Sequence, residues 1–176
     1  MAIVATDPGG KAFKPAPEGL HGAVCCDVVD LGMMENKFNP DKPAHKIRIV
    51  WQIEETDPEN ADKRYIVSKM YTLSLHEKAS LRKDLEGWRA KKFSAEESKG
   101  FDVEKLLGVP CQVQIIHNVS ETNGNTYANV QAIVPLGKGM TRITPDSNYV
   151  RVIDRPEDGQ VSKPKHIDDS DDVPFS

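Results

Sequence analysis

The sequence predicts a mainly β fold, a five-stranded Greek-key barrel with a helix between strands 3 and 4. Three observations lead there. Three segments with period-two patterning come first. The pattern then changes to a period of 3.6 after Leu73. Two further extended segments follow, joined by Asn123-Gly124, the composition of a tight hairpin turn.

The elements follow in order. Residues 20–31 (LHGAVCCDVVDL) read as a strand with a polar interruption at Asp27, and Gly32 to Ala44 as a Pro- and Asn-rich loop. Residues 45–54 give the cleanest alternation, with Ile47, Ile49, Trp51 and Ile53 on one face and Lys46, Arg48, Val50 and Gln52 on the other. Residues 64–73 form a third strand that places Tyr65, Val67, Lys69 and Tyr71 together. Ser74 with Glu77 has the form of a capping box, and Leu81, Leu85 and Trp88 share a helical face that closes near residues 90–92. Residues 93–110 are irregular, with a helical turn at 102–107. Residues 111–118 and 126–134 are strands four and five, with Ala128, Val130, Ala132 and Val134 as the apolar face of the fifth. A short extended piece, 147–153, closes the ordered chain. Five strands with a helix after the third match the OB-fold. The order also fits other small barrels and some antiparallel α+β sheets. Trp51 and Trp88 are expected in the core.

The 176 residues suffice for one domain with tails. Residues 1–19 are rich in Gly, Pro and Ala and read as a flexible arm; residues 20–156 form the domain; residues 157–176 read as a disordered acidic tail. The formal charge is -4, which at first counts against a nucleic-acid binder. The location of the charge changes that inference. Residues 1–156 hold 21 basic and 21 acidic residues, so the whole excess lies in the tail. There, Lys163 and Lys165 face six carboxylates, and the run ends Asp171-Asp172-Val173-Pro174-Phe175-Ser176. Acids of this kind steer toward a basic pocket, and the ring gives an anchor.

Several chemistries lack support. Adjacent Cys25 and Cys26 point to opposite faces of a strand, and no CxxC spacing occurs. The three thiols, Cys111 included, are expected reduced and buried in a cytoplasmic protein. No HExxH and no phosphate-binding Gly-Lys loop is present, so no metal or cofactor is expected. No apolar run reaches the roughly 20 residues of a membrane span. Asp27 and Asp30, with nearby Asp41, Glu54 and Glu55, are the residues from which a metal-dependent nuclease would be assembled, although their spacing matches no metal motif.

A single-strand binder needs flat rings for bases and cations for phosphates. Strand two offers Lys46 and Arg48, strand three Arg64, Tyr65, Lys69 and Tyr71, and strand five Tyr127. In an OB barrel, strands two and three carry the binding face. These seven residues are the candidate DNA-binding set.

The tail DDSDDVPFS resembles the acidic tip of bacterial-type single-stranded DNA-binding proteins. The stretches YTLSLHEKASLRKDLEGWR and LLGVPCQVQIIHN…NGNTYANVQAI resemble phage and prophage proteins with an OB-like domain, over about residues 13–136. The resemblance implies binding and protection of single-stranded DNA during replication and recombination, without catalysis. It also implies that Asp171, Asp172, Val173, Pro174 and Phe175 dock replication and recombination proteins in a bacterial or phage-infected cytoplasm. In that family Phe is the last residue; here Ser176 follows it, which sets the carboxylate one residue late. A homodimer is compatible with such a domain. The competing reading is an OB-like adaptor that binds protein and no DNA.

Overall fold

The computed structural model of the chain describes residues 14–37 and 39–155. It is mainly β. Strands β1 (Gly19–Met34), β2 (Ala44–Asp57), β3 (Asn60–Thr72), β4 (Pro110–Val119) and β5 (Thr126–Val134) form one sheet in the order β3-β2-β1-β4-β5. Every pairing is antiparallel. The helix α1 (Ser80–Arg89) lies between β3 and β4 in the chain. Short 3-10 turns occupy Glu97–Lys99, Val103–Leu106 and Val152–Asp154. The edge strands β3 and β5 come within 8 Å of each other at Cα, so the sheet curls strongly. Among the described residues no helix is long and apolar enough to cross a membrane.

Curling is made possible by β1. Its residues Ala23–Met34 pair with β2, and Gly19–Val24 pair with β4. A bulge between Cys25 and Asp27 sets two residues, Cys26 and Asp27, against Val50 alone. Cys25 therefore belongs to the core cluster while Cys26 turns to the other face, as the sequence predicts for adjacent strand residues. A second irregularity falls before Gly32, whose φ of 71° suits glycine; its N–H donates to Asp30 Oδ1 at 2.8 Å.

The inner face of the sheet holds Ile47, Ile49, Trp51 and Ile53 of β2, each at most 2% exposed. Burying each isoleucine contributes about 1.5–3 kcal/mol. Helix α1 closes this core with Leu81, Leu85 and Trp88. Trp88 packs on Trp51 with centroids 5.9 Å apart, and its Nε1 donates to Pro110 O at 3.1 Å. A Cβ on Gly87 would sit 2.8 Å from Ile133 O, so glycine is what lets α1 rest on β5.

Two expectations about these elements are corrected. The helix begins at Ser80 and not at Ser74, because Ser74 Oγ accepts from His76 N and His76 Nδ1 accepts from Lys78 N, holding residues 74–78 in turns. In β5 the apolar face changes parity. Gln131 is skipped in the β4 pairing, and Ile133 is buried while Val134 is 37% exposed.

Residues 14–18 of the N-terminal arm lie against this body. Ala16 is buried, His117 Nε2 donates to Ala16 O at 2.6 Å, and His21 Nε2 donates to Pro17 O at 2.8 Å. Residues 1–13, the tail 157–176 and the tip Asp171–Phe175 lie outside the described residues.

Candidate nucleic-acid interface

The outer face of β1–β3 can be read as rows across the sheet. Gly32, Lys46 and Thr72 form the first row, and Val29, Arg48 and Met70 the second. Asp27, Val50 and Ser68 form the third, and Val24, Gln52 and Ile66 the fourth. Arg64 follows on β3, two residues beyond Ile66.

The first two rows are open and basic. Lys46 Nζ donates to Thr72 Oγ1 at 2.6 Å, its only hydrogen bond among the described residues. The Arg48 guanidinium makes neither hydrogen bond nor ion pair among the described residues. Both cations are thus available to an anion, flanked by the apolar Val29 and Met70.

The next rows are covered by residues 144–155, which cross the sheet as a strap. Asp27 is 1% exposed, and its carboxylate is saturated by the strap. It accepts from Tyr149 OH at 3.0 Å, Arg151 Nε at 3.0 Å and Val152 N at 2.9 Å. Arg151 Nη2 also reaches Val28 O at 3.1 Å and Glu104 Oε1 at 3.0 Å. Gln52 exchanges two hydrogen bonds with Asp146: its Oε1 accepts from Asp146 N at 2.8 Å, and its Nε2 donates to Oδ2 at 3.4 Å. Arg64 Nη1 donates to Thr144 O at 2.6 Å and lies 3.4 Å from Asp146 Oδ1. Burial pushes the Cys26 thiol up to about 12, with the Asp27 charge adding to it; burial, with Asp27 among the neighbouring charges, raises the Tyr149 phenol too.

The seven candidates therefore separate. Lys46, Arg48 and Arg64 share the outer face of β2 and β3, with Arg64 engaged by the strap. Tyr127 is 40% exposed on β5 beside the hairpin loop, where Asn123 Nδ2 donates to its OH at 3.0 Å. Tyr65, Lys69 and Tyr71 point the other way. Tyr65 packs against the core. Tyr71 is 1% exposed, and its OH donates to Asp84 Oδ2 at 2.6 Å. Lys69 Nζ meets the same oxygen at 2.8 Å and lies 5.3 Å from the Tyr71 ring centroid. Burial, reinforced by the Asp84 charge, raises the Tyr71 phenol well above its ordinary range. Tyr71 has no free ring face for a base, and Lys69 is committed to α1.

The helical cations are also occupied in part. Arg82 bonds Leu75 O, Phe93 O and Glu86, and Arg89 pairs with Glu97 at 2.7 Å. They hold the segment after α1 against it. Of the acids from which a nuclease would be built, Asp27 is saturated and Asp30 bonds His45 Nε2 at 2.6 Å. Among the described residues no group of three His, Cys, Asp or Glu converges on one point.

The structure adds Tyr149 and Arg151, which the sequence reading leaves in a short extended piece, and Arg155 just beyond it. The signal lies in the alternation of Tyr149, Val150, Arg151 and Val152. It turns the Tyr and Arg side chains toward the sheet and leaves both valines exposed, so a buried acid rather than apolar burial sets the register. Comparison with family models, with curated proteins and with solved structures gives no significant match. The functional reading rests on the chemistry of this face.

Proposed function

We propose that the chain is an OB-like single-stranded DNA-binding protein that holds the strand on the outer face of β1–β3, without sequence preference. One observation carries this reading: Lys46 and Arg48 stand side by side on an open strand face with no carboxylate partner among the described residues. A phosphate backbone is the chemistry such a pair takes, and the adjacent Met70 and Val29 give bases an apolar surface. Mid-sheet strands β1 and β2, curled so that β3 nears β5, are compatible with the Greek-key OB barrel whose second and third strands bind oligonucleotides. The neutral body and the separately acidic tail fit a protein that binds DNA with one part and recruits replication or recombination partners with the other.

The test is a fluorescence titration of the full chain with labelled oligo-dT of about 20 nucleotides and with duplex of the same length, repeated across salt. Each phosphate neutralised on a single strand contributes a slope of about -0.7 in log K against log salt. Saturable binding to the single strand with a slope steeper than about -1.4, and weaker binding to duplex, is the expected result. No binding at low salt refutes the proposal.

A further inference from the structure

Over the third and fourth rows the strap covers β1 and β2, while on β3 its hydrogen bonds among the described residues reach only Arg64. Thr72, Met70, Ser68, Ile66 and Arg64 recur at every second residue and so share one face; Ser68 is exposed and Ile66 is 50% exposed. They make a lane between the strap and the edge of the sheet, about 27 Å long at roughly 3.4 Å per residue. One end of the lane is the open pair Lys46 and Arg48. The other end is a shallow groove of ≈ 300 Å³ between β3 and the strap.

Lys63, Arg64 and Ile66 form one bank of that groove, and Asn148, Tyr149, Val150 and Arg155 form the other. Asp146 in the lining is already engaged by Arg64 and Gln52. Lys63 and Arg155 have no carboxylate partner among the described residues. Arg155 is positioned by Val150 O at 3.1 Å and lies 5.7 Å from the Tyr149 ring centroid. Two unneutralised cations beside an exposed isoleucine and a valine describe a place for one phosphate and its base. Just beyond, the end of β2, the turn and the start of β3 carry Asp57, Glu59 (paired with Lys14) and Asp62, acids that repel a polyanion and end the lane there.

Resting on the single-strand reading above, we infer that the strap is a fixed wall of the binding site and that Lys63, Arg155 and Tyr149 form a second anchor for the strand. The strand runs along β3 from Lys46 and Arg48 to this groove. A lane of this length holds about four nucleotides, the lower end of what one such fold covers. The strap then strengthens binding, where a strap lying over a site would oppose it.

The experiment compares the full chain with the double variant Lys63→Glu/Arg155→Glu and with the control Lys91→Glu, whose lysine stands on the far side beyond α1. Oligo-dT affinity and melting temperature are measured for each. The inference expects the double variant to lose at least tenfold in affinity with a shallower salt slope and an unchanged melting temperature. The control stays within twofold of the parent. A double variant within twofold of a parent that binds overturns the second anchor and leaves the proposed function standing; a parent that does not bind refutes both. Photo-crosslinking of the unsubstituted chain to oligonucleotides carrying 5-iodouracil supplies a readout independent of any variant. Adducts on residues 63–66 or 148–155 support the lane, and adducts confined to other segments overturn it.

Discussion

On β2 and β3 the outer face follows one alternation from Lys46 to Gln52 and from Thr72 to Ile66, yet its two ends do opposite things with their charge. At the β1–β2 loop end, Lys46 and Arg48 keep their cations for solvent or ligand. In the third and fourth rows, Asp27 and Gln52 are locked under the strap, and Arg64 is held at its margin. The contrast comes from one residue. A carboxylate at 1% exposure must be hydrogen bonded, and the strap supplies three donors to it. Strand periodicity selects which side chains share a face; a buried charge selects what comes to cover them.

The sharpest way to break this contrast is to remove its cause. Asp27→Ala leaves Tyr149 OH, Val152 N and Arg151 Nε without their acceptor, while Arg151 Nη2 keeps Val28 O and Glu104. Breaking one side of a buried ion pair costs about 3–5 kcal/mol. Arg151 keeps 26% of its side chain in solvent, which places the expected loss at the lower end, about 3 kcal/mol in urea unfolding. Residues 144–155 should also become the first site of proteolysis. A loss under about 1 kcal/mol, within the range of an ordinary hydrogen bond, would show that the strap does not depend on Asp27.

The next test contrasts the two faces of β3. Tyr71→Phe removes a 2.6 Å hydrogen bond to Asp84 and leaves Lys69 as its partner. The expected cost is about 1–2 kcal/mol of stability, with DNA affinity within twofold of the parent. A selective loss of DNA binding would return Tyr71 to the interface.

Much of this fold was legible in the sequence, and the failures share a cause. The β2 alternation, Trp51 and Trp88 in the core, and the Asn123-Gly124 turn follow from local periodicity, which the structure keeps. What local pattern does not carry is a change of parity. One skipped residue at Gln131 exchanges Ile133 for Val134 on the inner face of β5. In β3 the alternation correctly groups Tyr65, Lys69 and Tyr71, but it has no sign that says inside or outside. The sign comes from Asp84, 13 residues past Tyr71, which satisfies both the phenol and the ammonium and lets polar groups face the core. The strap was invisible for the same reason, since its contacts with Asp27 span more than 120 residues. Of the seven candidate site residues, Lys46 and Arg48 needed only the face, and among the described residues they are the candidate cations without a carboxylate partner.

Their openness predicts an effect smaller than that of the buried groups and confined to binding. Arg48→Glu removes a free cation and adds an anion on the same face. The expected result is about a tenfold loss of oligo-dT affinity, or about 1.4 kcal/mol. The salt slope should fall by about 0.7 for the lost phosphate contact. Stability should stay within about 0.5 kcal/mol, as for other surface substitutions that break no buried contact. An unchanged slope would place the phosphates elsewhere on the molecule.

The mildest test leaves the sequence of the strap and the sheet intact and asks only how often they part. Cys26 lies on the outer face beneath the strap, whereas Cys25 and Cys111 belong to the core. Burial pushes Cys25 and Cys26 up to about 12 and Cys111 higher still. A thiol so raised holds on the order of a thousandfold less thiolate at pH 8 than one at its ordinary pKa near 8.5, so all three resist a thiolate-selective reagent while the chain is folded. The locations then divide them. Core thiols react only when the whole sheet opens; Cys26 needs only the strap to lift, a local event that costs less than global unfolding. In low urea, below the unfolding transition, Cys26 should therefore label ahead of Cys25 and Cys111, as read by mass spectrometry of the labelled peptides with fragmentation to distinguish the adjacent pair. Saturating oligo-dT should slow that labelling, because a strand held between β3 and the strap favours the closed wall. Faster labelling of Cys26 on binding DNA would mean that the strand displaces the strap, and the strap-covered end would then be a closed site rather than one side of an open one.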